Sequence, residues 1–322
     1  MNTQTQINTE NYIKNFTTAQ KCDRWSGDSS AATMAAVLIG NDVLLDVDSV
    51  KNAQAVIKKN QGIFSSLRSG YARNIVTATV AVSEDQEQAI TDIASIENGF
   101  KKGIFDSYQW VIASIMIYMN SENYDYDGFI ARTTDIYNTV KSKHQYVAWS
   151  KDVANCALLA ASDKETEQIS SDYEACYMEL AKYYSNRSAA MYAAAAMSLF
   201  DGDVAAKALA VKNLHDELKR RSFHFTSEGL EIIALMASVF GEQPTAVLNE
   251  MNEVSQRLSQ VRGMGDWGVG QKVRNMIAAA IVIDSYVDNR KIAYFAKQVI
   301  LNVICKSMDD NDSAAVIATT MI

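Results

Sequence analysis

Apolar residues recur along this chain with the period of an α-helix. In residues 87–100 the positions Ala89, Ile90, Ile93 and Ile96 return at three- and four-residue steps, and Gly99 is read as the stop. In 171–184 the stripe is Tyr173, Cys176, Tyr177, Leu180 and Tyr184. In 245–261 it is Val247, Leu248, Met251, Val254, Leu258 and Val261, with Pro244 placed for a first helical turn. Between these one-sided helices lie shorter stretches that are almost wholly apolar: 111–119, 189–200, 230–240 and 276–283. A helix apolar on every face has to be covered on several sides, so the pattern predicts inner helices alternating with half-exposed outer ones. The segment Val43 to Val47 is the nearest thing to a strand, and it is short.

The alternation has a period. An aromatic stands at the entrance to an inner helix at Phe64, Phe105, Trp149, Phe225 and Trp267, with spacings of 41, 44, 76 and 42 residues. The third spacing is twice 38, and the alanine-rich stretch 188–200 fills the missing place. Repeats near 40 residues made of two helices indicate an all-α fold of stacked helical hairpins, either an α-solenoid or a closed α/α ring. No linker interrupts the series. A single repeat domain over residues 1–322 is therefore expected. Residues 61–322 form the helix pairs, and the more polar, less regular residues 1–60, with 29–38 as their first inner helix, form an N-terminal cap region. The apolar end, 314–322, is expected to dock on the last repeat.

Composition sharpens this picture. One proline and 14 glycines in 322 residues are too few for many strands and long loops, which recruit both for their turns. A formal charge of −8 argues against a nucleic-acid partner, because affinity there rests on cations neutralising phosphates. The densest basic run, Lys219-Arg220-Arg221 after Lys212, falls at a helix C-terminus, where cations meet the helix dipole. Cys22, Cys156, Cys176 and Cys305 are widely spaced and read as reduced thiols. The polar N-terminus lacks a signal-peptide pattern, and no apolar run approaches the roughly 20 residues needed to span a bilayer. A cytoplasmic location with no membrane association is expected.

Three stretches carry a family resemblance. They are Phe64-Ser65-Ser66-Leu67-Arg68-Ser69, Gly99-Phe100-Lys101-Lys102 with the tyrosine-rich helix after it, and Ala157-Leu158-Leu159-Ala160 followed by an acidic helix. With the length, they resemble the bacterial family designated domain of unknown function 4003, over nearly the whole chain. The resemblance implies a helical bacterial protein. Its motifs are packing patterns, and it brings no functional residue with it.

Candidate chemistry is sparse. Gly263-Met264-Gly265-Asp266-Trp267-Gly268 is a literal G-x-G-x-x-G. The phosphate-binding version must follow a β-strand, whereas a helix precedes this one, so an inter-helix turn is expected. Asn123, Asp125 and Asp127, with Gly128 and Ile130, match the first part of a calcium loop. Position 12 of that loop is Thr134 where a bidentate carboxylate is needed, which leaves a weak calcium site at best. The alternative is a polar turn in which Asp127 caps the next helix. His144, His215 and His224 have no partner at metal-ligand spacing, and His215, beside Asp216 and Glu217, reads as a solvated surface residue. The run Asp309-Asp310-Asn311-Asp312 lacks the last acid of a diphosphate-binding cluster. Neither a hydrolase nor an NTPase signature occurs.

No catalytic, metal or cofactor residue is assigned on these grounds. Eleven of the 15 tyrosines fall between Tyr108 and Tyr192. Tyrosine is favoured at recognition surfaces, although helix-to-helix packing accounts for the same distribution. The expectation is a non-enzymatic binding module for a protein or peptide partner, with that central third as the candidate surface. The alternative is an enzyme or small-ligand-binding protein whose site is assembled from several helix pairs.

Overall fold

A computed structural model of the chain describes residues 1–22, 27–63, 65–102, 109–119, 125–143, 153–241, 244–287, 292–293 and 295–304. These are helices joined by turns, and no strand occurs among them. Val47 opens a helix, and 43–46 are irregular. The chain forms two units, the first comprising 1–87, 223–228 and 245–322, the second 88–222 and 229–244.

The first unit contains α1 (Thr3–Cys22), α2 (Gly27–Ala36), α3 (Val47–Asn60), α4 (Gly70–Ala81), α13 (Thr245–Ser259) and α14 (Gln271–Tyr286). Its helix α1 packs on α2 and α3 and also on α13 and α14, so both ends of the sequence share one core. Residues 1–60 are thus more regular than the sequence suggests. The reason lies in what faces inward. Tyr12, Phe16 and Ala19 are buried on α1, but so are Thr5, Asn8, Thr9 and Asn15, which an apolar periodicity does not register.

The two asparagines have partners. Asn15 donates to the Val43 carbonyl at 3.0 Å and accepts from the Leu45 amide at 2.8 Å. Asn8 donates to Asp284 at 2.9 Å and to Ser285 at 3.1 Å on α14. The Met1 ammonium meets Glu253 at 2.6 Å, and Tyr286 donates to Glu250 at 3.0 Å. The space among Asn8, Asn11, Tyr12, Asn15, Gly40 and Asp42 is about 10 Å³, enough for one water and no ligand. This cluster is structural.

The second unit contains nearly all of α5 (Gln86–Lys101), then α6 (Gln109–Tyr118), α7 (Tyr126–Lys143), α8 (Val153–Ala160), α9 (Thr166–Leu180), α10 (Arg187–Ser198), α11 (Val204–Arg220) and α12 (Leu230–Phe240). Helices α6, α8, α10 and α12 pack in succession, as do α7, α9 and α11. The predicted alternation is present: every residue of α8 and residues 189–198 of α10 are buried, while α9 and α11 bury one stripe each. Gly99 does not stop α5, which runs two residues further. A Cβ there would lie 2.8 Å from Ile130 Cδ1 of α7, so this glycine is a point of close helix approach. Of the aromatic markers, Phe64, Phe105 and Trp149 lie outside the described residues, as do His144, Cys305, 309–312 and 314–322.

Helices buried on all sides end in carbonyls that water cannot reach. In this protein cationic side chains serve them. Arg132 of α7 donates to the carbonyls of Ala160, Ser162 and Lys164, where α8 turns into α9. Lys164 donates to the Ser198 carbonyl at 3.0 Å and pairs with Asp172 at 2.8 Å, and Lys207 reaches the carbonyls of Met197 and Phe200. In the first unit Lys297 reaches the Gly40 carbonyl after α2. Side-chain capping of this kind satisfies the last turn and places positive charge at the negative end of the dipole.

Two predictions follow from this packing. Arg132→Ala strands three carbonyls and is expected to destabilise the protein by about 1–3 kcal/mol in urea unfolding, with Arg132→Lys recovering part; an unchanged midpoint for the alanine variant refutes the capping role. Asp284 is largely buried, which pushes its acid above the ordinary 3.8, with Asp42 adding to the rise and Lys297 and Asn8 offsetting part of it. A folded acid with a raised pKa takes up its proton before the unfolded chain does. Its contribution to stability therefore improves as pH falls through the folded-state value and levels off below 3.8. Asp284→Asn should lack this component, visible as a smaller gain, or steeper loss, of stability on acidification than in the parent protein. Identical pH profiles exclude it.

Candidate functional site

The glycine-rich turn between α13 and α14 is the most constrained loop of the first unit. Helix α13 precedes it and α14 opens at Gln271, so the strand of a dinucleotide site is absent, as the sequence implies. Met264 and Val269 are buried and pin the two ends. The Val269 amide donates to the Gly263 carbonyl at 3.0 Å, and the Gly268 and Gly270 amides donate to the Gly265 carbonyl at 3.1 Å. Gly263 and Gly270 have φ of +93° and +83°, which side chains other than glycine resist.

Two side chains from the sequence start complete the turn. The Asp28 carboxylate of α2 lies 2.5 Å from the place a Cβ on Gly263 would take and 2.9 Å from that of Gly268. Gln20 of α1 holds it, donating to Asp28 Oδ1 at 2.8 Å and to the Arg262 carbonyl at 3.2 Å. The face on which a phosphate would rest is occupied by the protein's own anion, so the glycines serve an internal carboxylate. From the other side Arg274 of α14, only 7% exposed, donates to the Met264 carbonyl at 2.8 Å and pairs with Asp266 at 3.2 Å.

The result is a fixed platform with one large apolar side chain projecting from it. Trp267 is fully exposed. It stands just before α14, as the repeat placed it, with its side chain in solvent. Phe225, the other described marker, lies against Phe223 with ring centres 5.7 Å apart. Trp267 stands among Gly265, Gly268 and Gly270, and its one apolar neighbour at helical spacing, Met264, is itself buried. That local isolation is the signal a reading by period passes over.

The remaining candidates resolve as follows. Asp125, not Asp127, caps α7: its two carboxylate oxygens accept from the Asp127 and Gly128 amides at 3.2 Å each, the usual N-cap pattern. Asp127 sits exposed in the first turn, and Asn123 lies outside the described residues. A cation here would compete with the cap for Asp125. Among the described residues no cluster of three or more His, Cys, Asp or Glu side chains is placed to hold a metal.

His215 is half-buried and stacks on Tyr184, ring centres 5.5 Å apart, with Nδ1 3.2 Å from the Tyr184 hydroxyl. This corrects the solvated reading. Burial first, and Lys219 second, hold its pKa below the ordinary 6.5, and burial raises that of Tyr184. His224 is exposed. Lys212 pairs with Asp216 at 2.7 Å, and Arg220 and Arg221 both pair with Glu217, so most of these cations meet acids within their own segment. Tyr137, Tyr173, Tyr177 and Tyr192 are buried between helices, and Tyr183 is exposed; Tyr108, Tyr124 and Tyr146 lie outside the described residues. Cys156 and Cys176 are buried free thiols, and burial pushes Cys176 up to about 11.

A wider groove of about 540 Å³ between α3 and the start of α5 is lined by Ser49, Asn52, Glu84, Asp85, Gln86 and Glu87, among others. Glu87 is paired with Lys59 at 2.7 Å, and Asn52 and Gln86 bond each other at 2.8 Å. It is an open, solvated surface.

The turn makes a test. A Cβ on Gly268 would lie 2.0 Å from the Gly263 carbonyl oxygen, a backbone clash that no rotamer relieves. Gly268→Ala is expected to cost about 1–3 kcal/mol by overpacking. The urea midpoint and m-value measure it, and unchanged stability shows the turn to be less rigid than described.

Comparison with curated proteins and with solved structures gives no match. A family model described as "Protein of unknown function (DUF4003)" matches residues 15–309. That span includes the resemblance stretches, the glycine-rich turn and every helix from the end of α1 to α14, and on it the chain belongs to this family.

Proposed function

We propose that this protein is a non-catalytic binding module of stacked helical hairpins, about forty residues each, that docks a protein partner through the turn carrying Trp267. The observation that carries the reading is a fully exposed indole on a turn locked by Asp28, Arg274 and the close approach at Gly263 and Gly268. An isolated exposed apolar residue is ordinary when it sits on a flexible side of the molecule. Here the backbone beneath it is fixed, so little ordering entropy opposes binding, and tryptophan is the residue most enriched among interface hot spots. The partner is expected to offer an apolar pocket for the indole, rimmed by donors suited to Asp266.

The tyrosine-rich third supports this role less, because four of its described tyrosines fill the core of the second unit. No helix among the described residues is long and apolar enough to cross a membrane. Free buried thiols at Cys156 and Cys176 favour a reducing compartment, the cytoplasm of a bacterial cell.

The test compares the full-length protein with Trp267→Ala as bait in a lysate of the source organism, followed by titration of the purified partner. Truncating an exposed side chain should leave thermal stability unchanged while weakening partner affinity by about thirtyfold or more, the range of a hot-spot residue. A partner that binds both baits equally, or no reproducible partner at all, refutes the reading.

A further inference from the structure

The first unit contains a second, chemically different feature. A pocket of about 290 Å³ opens between α3, α4 and the C-terminal end of α1, lined by Cys22, Gln54, Ile57, Lys58, Arg68, Arg73 and Thr77. Three of these seven residues are cations and none is an acid, in a chain whose net charge is −8. The helical period explains how they meet. Gln54 and Lys58 are one turn apart on α3, and Arg73 and Thr77 one turn apart on α4, so each pair shares a face. Arg68 comes from the short turn that leads into α4.

Thr77 marks the floor of this pocket. It is 1% exposed, and its hydroxyl oxygen has no hydrogen-bond partner. Several helical threonines donate back to the carbonyl four residues earlier, as Thr79 does to Ile75 at 3.0 Å and Thr33 to Ser29 at 2.9 Å, whereas Thr77, like Thr133, does not. A buried polar group left without a partner costs free energy, which a ligand atom accepting from it would recover. Above it, one guanidinium nitrogen of Arg68 donates to the Gln61 carbonyl at 2.8 Å, which fixes the side chain and leaves the rest of its fork available. Lys58 makes no ion pair among the described residues.

We propose that this pocket binds a small molecule through a dianionic phosphate group. The Lys58 ammonium and the open part of the Arg68 fork, with Arg73 beside them, suit a phosphate dianion better than a single carboxylate. Arginine forks, an ammonium, an amide and a hydroxyl together supply donors to several phosphate oxygens. The volume admits a metabolite-sized ligand and excludes a polymer chain. This assignment is independent of the Trp267 surface.

The experiment uses the full-length protein, with inorganic phosphate as probe and acetate and chloride at matched ionic strength as controls, read by thermal shift and calorimetry. Phosphate is expected to raise Tm and give saturable heat, with acetate weaker. Lys58→Ala and Arg73→Ala should each lower phosphate affinity about tenfold or more, the scale of one hydrogen bond to a charged group. Thr77→Val supplies the discriminating variant: removing an unpartnered buried hydroxyl should leave the ligand-free Tm equal or higher, yet weaken phosphate binding. No phosphate effect beyond chloride, acetate binding as tightly as phosphate, or variants that bind like the parent each overturn the proposal.

Discussion

A helix that is apolar on every face solves one problem and creates another. Burying α8, α10 and α14 removes a large apolar area from water, at roughly 25 cal/mol for each Å². The same burial strands the carbonyls at the helix ends, and each one left unpaired costs about 1–3 kcal/mol. The protein meets this by sending cations to the ends of inner helices: Arg132 to α8, Lys164 and Lys207 to α10, Lys297 to the turn after α2. Lys164 also shows why these cations tolerate partial burial, since Asp172 and Asp201 both pair with it. The outer helices are therefore more than covers. Their long basic side chains finish the hydrogen bonding of the helices they shield, and the amphipathic pattern is where that service is encoded.

Much of this was legible in the sequence, for a plain reason. Where an element is defined by apolar periodicity, the chain states it directly: the 230–240 run coincides with α12, and the stripe of α13 buries Val247, Leu248, Met251, Val254 and Leu258. Where an element is defined by polar pairing across the structure, the chain is silent. Helix α1 illustrates this, because Asn8 and Asn15 are inward-facing only by virtue of Asp284 and of the backbone at 43–45. Gly99 misleads for a related reason. A glycine within a helix can end it or admit a neighbour, and only the position of Ile130 decides between them. The cap of α7 was misplaced by two residues because Asp125 and Asp127 are chemically identical, and the choice rests on which one the first free amides face.

The glycine-rich turn shows how a motif can be real in letters and different in chemistry. Its glycines permit close approach, as they do in a phosphate loop, but the group that approaches is Asp28 from α2. An anion supplied by the fold itself satisfies the same geometric demand, and the turn becomes a rigid stand for Trp267. Periodicity marked that residue only as the aromatic before an inner helix and said nothing of its exposure. The three glycines around it leave Met264 as its one apolar neighbour at helical spacing, and Met264 is buried.

Charge offers the sharpest contrast between contiguity and convergence. The sequence draws the eye to Lys219-Arg220-Arg221, three cations in a row, and the structure pairs Arg220 and Arg221 with Glu217, while nearby Lys212 pairs with Asp216. Residues adjacent in sequence on a helix point in different directions, and their i±3 and i±4 neighbours are what they meet. Lys58, Arg68 and Arg73 attract no notice in the sequence because they stand ten and five positions apart. The α3–α4 hairpin brings them to one pocket, above a threonine whose hydroxyl is buried and unpartnered. In an acidic helical protein, cations that converge from separate elements are the informative ones, and they are found by asking which helix faces meet.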